Sequence, residues 1–282
     1  MKIIECPRDG WQAIDKFIDT QIKANYINTL LKVGFNIIDF GSFVSDAVIP
    51  QLKDSAELVK KIDLSSTNTK LMSLVGNMNG ARIAAEFDEI SYISYPFSIS
   101  PTFLTKNLNI SQSGAKKIIE DINNLCVKKN KQLVVYLAMG FGNPYGDEWN
   151  IDVLVKWIKE FENIGVKFIS ITDVVGLATK QTIKDVFSII IPEFPEIEFG
   201  LHLHTTKNTW HEKIDAAYNY GCNTFDSVIN GYGGCPMTGK ELLGNLDTKN
   251  LIEYAGNNNI KTSINEDEFK KAVCESLNIF NS

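Results

Sequence analysis

Hydrophobic positions along the chain follow two alternating periods. Short runs rich in β-branched and aromatic residues occur at "KIIEC" (2–6), "NIIDFGSF" (36–43), "TKLMSLV" (69–75) and "EISYISY" (89–95). Four more follow at "QLVVYLA" (132–138), "VKFISIT" (166–172), "IEFGLHLH" (197–204) and "NTFDSVI" (223–229). Runs of this length and composition predict buried strands. Between them lie segments such as "KFIDTQIKANYINTLLKVG" and "NIDVLVKWIKEFENIG", whose apolar residues recur every three and four positions, as on one face of a helix. Gly34, Gly165 and Gly221 stand where three of these helices should end, and a left-handed C-terminal cap favours glycine there.

Each strand with its helix occupies roughly 30 residues, one βα unit. Eight units predict a (β/α)8 TIM barrel. A doubly wound open sheet shares the local alternation. However, no GxGxxG follows the first strand, and polar residues follow many of the others, which favours the barrel. No linker, low-complexity tract or charge block divides the chain, so residues 1–282 read as a single barrel domain. The amphipathic "NEDEFKKAVCESLNIF" comes after the eighth unit, making residues 265–282 an appended helical segment that covers the barrel.

Composition narrows the function. The chain is 44% hydrophobic and 22% charged with a net charge of −6, an ordinary globular balance. No basic face for nucleic acid is expected, and no apolar stretch approaches the ~20 residues that span a bilayer. Five scattered cysteines without CxxC spacing point to a reducing compartment rather than a disulfide framework. A strand directly after Met1 leaves no room for a targeting peptide. Together these features predict a cytoplasmic protein.

The opening octapeptide "ECPRDGWQ" reads on its own as a surface turn closing the first strand. Its setting changes that reading, because active sites of such barrels sit where strands end. The strand ends bring Arg8 and Asp9 together with Asp39 and Ser42 of strand 2, Ser170 and Asp173 of strand 6, and the "HLH" of strand 7. His202 and His204, two positions apart on a strand, face the same side and can share a metal. The alternative is a pair of buried histidines bonded to carboxylates. Asp9 can add an oxygen from across the mouth, and Asn245 in "LLGNLD" an amide oxygen. Such a mixed nitrogen and oxygen set suits Mg²⁺ or Mn²⁺, whereas a structural zinc would want more thiolates. Arg8 is then placed to oppose oxyanion charge, or to form a salt bridge with Asp39 or Asp173. His211, on the following helix, reads as a surface or packing residue.

Two loops stand out. "GYGGCPMTGKELLGN" after strand 8 is glycine-rich and carries Cys235, which could be a proton donor, a nucleophile or a bystander. "GFGNPYGDEWN" after strand 5 places Asn143, Pro144 and Tyr145 at the pocket mouth.

The set as a whole resembles the hydroxymethylglutaryl-CoA lyase family, metal-dependent barrels with an Arg-Asp signature on strand 1. The motifs "PRDGWQ", "IIDFGSFVSDAVIPQL", "LTKNLNIS", "GNPYG", "SITDVVGLAT", "LHLHTT" and "GGCPMTGKELLGNL" carry the resemblance nearly end to end. It implies that Asp9, His202, His204 and Asn245 bind the metal and that Arg8 assists at the reacting carbonyl. It further implies that Cys235 delivers a proton to the acetyl-CoA enolate, and that Asp39 and Asp173 support the metal and substrate. Asn107, Ser42 and Ser170 fall in the substrate region. The chain departs from the family pattern at Thr205 and Asp39, where Asp and Glu are usual, and near Lys249, where an acid is usual.

The implied reaction is a retro-Claisen cleavage of 3-hydroxy-3-methylglutaryl-CoA to acetyl-CoA and acetoacetate, with Asp9 or His202 as the base and no organic cofactor. The partner is an acyl-CoA thioester, and a homodimer or other homo-oligomer is expected. The isopropylmalate and homocitrate synthases are the rivals within these barrels, but they carry Glu-Arg-Ala-Gly-Asn where this chain has its GGCP loop. A weakly catalytic CoA- or metal-binding homologue is a rival of another class.

Overall fold

In the computed structural model, which describes residues 1–234 and 243–280, eight parallel strands close into a barrel in the order β1 to β8. They are β1 (Lys2–Glu5), β2 (Ile37–Ser42), β3 (Lys70–Leu74), β4 (Ile90–Ser98), β5 (Gln132–Ala138), β6 (Phe168–Asp173), β7 (Glu198–Leu203) and β8 (Thr224–Ser227). All eight lie on the runs predicted to be strands. β1 closes the barrel on β8, with Ile4 opposite Asp226. The open-sheet alternative is therefore excluded.

Strand alternation divides the interior into two cores. Ile3, Ile38, Leu71, Val135, Ile169, Leu201 and Phe225 belong to the large cluster beneath the helices. Ile4, Ile37, Met72, Val134, Tyr136 and Phe168 form a smaller cluster inside the barrel. The parity continues toward the mouth: Asp39, His202 and Asp226 alternate with outward apolar neighbours, so all three face the axis.

The helices are α1 (Pro7–Trp11), α2 (Thr20–Val33), α3 (Ser55–Leu58), α4 (Met78–Ala85), α5 (Pro101–Leu108) and α6 (Gln112–Lys128). They continue with α7 (Ile151–Asn163), α8 (Lys180–Glu193), α9 (Trp210–Asn219), α10 (Thr248–Asn257) and α11 (Glu266–Phe280). Short polar side chains begin many of them by accepting from a backbone N–H two or three residues on: Asp19, Asn77, Ser100, Ser111, Asn150, Thr179 and Asp247. The three glycines read as left-handed caps have φ of 87° (Gly34), 82° (Gly165) and 95° (Gly221). The appended segment is α11, and it packs on α2.

The opening octapeptide is not a surface turn. Pro7 takes the first position of α1, where its missing N–H costs nothing, and every residue from Pro7 to Trp11 is buried. Two charged side chains are thereby carried into the barrel mouth. No helix among the described residues is long and apolar enough to cross a membrane.

Candidate active site

Arg8 organises the first half of the site. Its Nε and Nη2 donate to Asp39 Oδ2 at 2.9 and 2.6 Å, and its Nη1 donates to Asp9 Oδ1 at 3.1 Å and Gln12 Oε1 at 3.3 Å. Gln12 Nε2 donates to the same Asp9 oxygen. Arg8 and Asp9 are each 6% exposed and Asp39 is fully buried. Of the two salt bridges foreseen for Arg8, the one to Asp39 forms.

Asp9 Oδ1 is thus tied to Arg8 and Gln12, while Oδ2 looks across the mouth to His202 Nε2 at 3.8 Å. His202 Nε2 stands 3.3 Å from His204 Nε2, and His202 Nδ1 lies 3.0 Å from Asp226 Oδ2. One ligand atom each from Asp9, His202 and His204 lies within 4.8 Å of the others, the single such group of three among the described residues. Asn245 follows the glycine-rich loop and pairs with His204 through an antiparallel bridge. Its Nδ2 donates to the Tyr232 carbonyl at 2.9 Å, and its buried Oδ1 has no partner among the described residues.

Charge fits a cation here. Three buried carboxylates, Asp9, Asp39 and Asp226, surround one guanidinium, and Asp39 Oδ1 and Asp226 Oδ1 find no donor among the described residues. Burial works against ionising Asp9, but Arg8 and the two histidines outweigh it and hold the carboxyl below its usual range. Burial pushes Asp39 up to about 6, with Arg8 opposing, so it too is an anion at neutral pH. Burial and the neighbouring His202 push His204 down to about 4, leaving a neutral imidazole suited to ligation. Burial disfavours the charged form of His202 as well, but Asp226 and Asp9 reverse the sign and raise it. Mixed oxygen and imidazole donors of this kind suit a divalent cation.

The remaining predicted site residues divide. Ser170 is fully buried on β6 with its hydroxyl unpartnered among the described residues, and its backbone pairs in register with Tyr136, whose hydroxyl likewise has no partner among them. Asp173 points the other way. Its carboxylate accepts from the backbone N–H groups of Val175, Leu177 and Ala178 and shapes the loop after β6. Ser42 is spent locally, donating to the Leu74 carbonyl and accepting from Val44 N–H. Asn107 is exposed on α5. The Asn143 side chain orders its own loop through Tyr145 and Asp147, and Asp147 in turn clamps Ser100 and Thr102 at the start of α5. His211 is exposed beside Trp210 and Tyr254. Cys235 lies outside the described residues. Asp226 and Gln12 are the residues sequence reading missed. Asp226 sits in phase with Thr224 on the inner face of β8, which was the available signal; Gln12 lies one turn of helix beyond Arg8.

The HMGL-like family model matches residues 2–273. The chain belongs to the HMGL-like family. Among HMGL-like relatives, a hydroxymethylglutaryl-CoA lyase of Bacillus subtilis is 30% identical over 95% of this chain and 88% of its own length. The mitochondrial enzyme of the same name from Macaca fascicularis is 29% identical over 99% of this chain and 86% of its own. A crystal structure of a Bacillus subtilis HMG-CoA lyase superposes with a TM-score of 0.93 at 29% identity, covering 100% of this chain and 94% of that one. An Acinetobacter baumannii HMG-CoA lyase in complex with coenzyme A and 3-methylmalate gives a TM-score of 0.91 at 26% identity, covering 99% and 91%. This HMGL-like protein is a carbon–carbon lyase.

Proposed function

We propose that the protein cleaves 3-hydroxy-3-methylglutaryl-CoA to acetyl-CoA and acetoacetate with a bound Mg²⁺ or Mn²⁺ and no organic cofactor. The observation that carries this reading is the convergence of Asp9, His202 and His204 next to Arg8 at the barrel mouth, in a chain whose relatives are lyases of that name. Asp9, His202, His204 and Asn245 would hold the cation, which when bound acidifies the substrate's tertiary hydroxyl and fixes its orientation.

The protein's own groups do the rest. Asp9 accepts the hydroxyl proton, because His202, with Nδ1–H held by Asp226 and Nε2 turned to the cation, has no lone pair left to take it. Cleavage of the C–C bond sends its electron pair toward the thioester, and Arg8, already charged and held by two carboxylates, opposes the negative charge on the thioester oxygen. Cys235 then gives its proton to the enolate carbon. Asp39 and Asp226 support Arg8 and His202. Ser170 borders the substrate from β6, while Asp173, Ser42 and Asn107 would act through the loops that they order or occupy. The coenzyme A complex of the Acinetobacter baumannii relative supports an acyl-CoA as substrate. A cytoplasmic homo-oligomer completes the proposal.

The test is acetyl-CoA release from a panel of 3-hydroxy-3-alkylglutaryl-CoA thioesters, before and after chelation. Release from the methyl compound that stops on chelation and returns with Mg²⁺ or Mn²⁺ is expected. Full activity in the chelated protein would refute metal dependence. Preference for a longer alkyl group would move the substrate, and condensation without cleavage would favour a synthase.

A further inference from the structure

α11 lies outside the barrel, yet its last two turns reach the mouth. Ser276 is fully buried and its Oγ accepts from Asn230 Nδ2 at 2.6 Å. One turn later, the Phe280 ring lies flat on the Tyr232 ring, with centroids 4.3 Å apart and planes within 3° of parallel. Tyr232 packs against the cluster inside the barrel and Phe280 against the one beneath the helices. The stack therefore joins the two cores across the rim.

What Tyr232 touches gives the stack a consequence. Its carbonyl accepts from Asn245 Nδ2, so the amide is oriented with Oδ1 free of partners among the described residues. The next residue, Gly233, runs so close that a Cβ there would stand 2.8 Å from both Asn245 Nδ2 and the Asp9 carbonyl oxygen. Phe280 also reaches the other side of the group. A Cβ on Gly10, directly after Asp9, would meet the Phe280 ring at 2.8 Å. One aromatic ring thus braces the backbone beside Asp9 and the carbonyl that holds Asn245.

We propose that Phe280 is a positioning residue for the metal site, its stack on Tyr232 keeping the Asn245 amide turned so that Oδ1 faces the cation. This rests on the metal reading given above. Without the stack, Tyr232 and its carbonyl lose their fixed place, and the Asn245 amide loses one of the two bonds that orient it, the other being to Asp9. Partners that orient a ligand typically matter about ten- to a hundredfold in metal affinity.

Mn²⁺ titration of the full chain, followed by the EPR signal of free Mn²⁺, tests this without reference to turnover. Wild type should bind one Mn²⁺, and Asp9→Asn should abolish that binding; if wild type does not bind, the metal reading itself fails. Given wild-type binding, Phe280→Ala should weaken it roughly tenfold, and Phe280→Tyr, which keeps the flat ring, should restore it. Phe280→Leu fills the space above Gly10 without stacking, so it decides the matter should the alanine variant not fold. Wild-type Mn²⁺ affinity in Phe280→Leu, with or without a loss of melting temperature, would reduce Phe280 to packing and overturn the proposal.

Discussion

His202 reaches Asp226 through Nδ1 at 3.0 Å and leaves Nε2 to face Asp9 and His204. A carboxylate on one ring nitrogen fixes a proton there and presents the other nitrogen's lone pair, the arrangement that metal-binding histidines commonly show. The buried-pair reading of the histidines and the metal reading are therefore compatible here: the carboxylate bond would prepare the ring as a ligand.

Asp226→Ala should accordingly lower Mn²⁺ affinity about 10- to 100-fold and leave His202 in a mixture of tautomers. Asp226→Asn can still accept from Nδ1–H through its amide oxygen, so it should fall between the two. The ¹⁵N shifts of the His202 ring in the metal-free protein, taken at a pH high enough for the ring to be neutral, read the tautomer directly. A single tautomer in Asp226→Ala would show that Asp226 does not set it.

In the proposed mechanism Arg8 has two duties, and one substitution should expose both. Arg8→Gln removes the donor facing the thioester oxygen, so kcat should fall on the order of 10²–10³ with little change in KM. It also strands Asp39, fully buried and bonded among the described residues to Arg8 alone, and breaking such a pair costs about 3–5 kcal/mol. Adding Asp39→Asn should recover stability but not turnover. Recovery of turnover in the double variant would mean that Arg8 acts only through Asp39.

Much of this was legible beforehand because strand period and barrel geometry carry it. Once His202 lies on the inner face of β7 and His204 directly past its end, their convergence with a residue just beyond β1 follows from closure of the sheet. What could not be read was direction beyond the strand ends. Asp173 is one residue past the inward-facing Thr172, and that single step turns it to the outer side, where three backbone N–H groups claim it. Burial of "PRDGW" was hidden for a related reason. Arg and Asp together look like surface residues until the partners that neutralise them, Asp39 from β2 and His202 from β7, are placed around them. Asp226 was visible as an inward position on β8 but has no motif of its own.

Cys235→Ser tests the proton donor. Metal and thioester binding should persist, since neither needs sulfur, while turnover falls by about 10²–10⁴, the range for losing a positioned acid. Cys6, Cys126 and Cys222 are buried and Cys274 sits exposed on α11, so replacements at these positions serve as controls. Wild-type turnover in Cys235→Ser would remove the thiol from the mechanism.

Glu5 offers a prediction about stability that is separate from catalysis. It sits on the outer side of β1, fully buried, with Oε1 accepting from Ile229 N–H at 2.8 Å and Oε2 paired with Thr248 Oγ1 at 2.6 Å. Burial pushes its carboxyl from 4.5 up to about 8, against the two hydrogen bonds, which favour the anion. The folded protein therefore keeps a proton that the unfolded chain releases. Folding loses stability as pH rises through this window, by at most about 1.4 kcal/mol per pH unit, and below the unfolded value the penalty vanishes. Glutamine reproduces the protonated carboxyl: its oxygen can accept from Ile229, and its amide can donate to Thr248, whose hydroxyl then donates to Ser227 Oγ at 2.9 Å. Glu5→Gln should thus match wild type near pH 4.5 and exceed it increasingly toward pH 8, by an amount on the order of 1–3 kcal/mol. Urea unfolding at a series of pH values measures the difference. A gap that stays constant with pH, or a variant that is less stable at pH 8, would show that Glu5 is ionised in the folded protein.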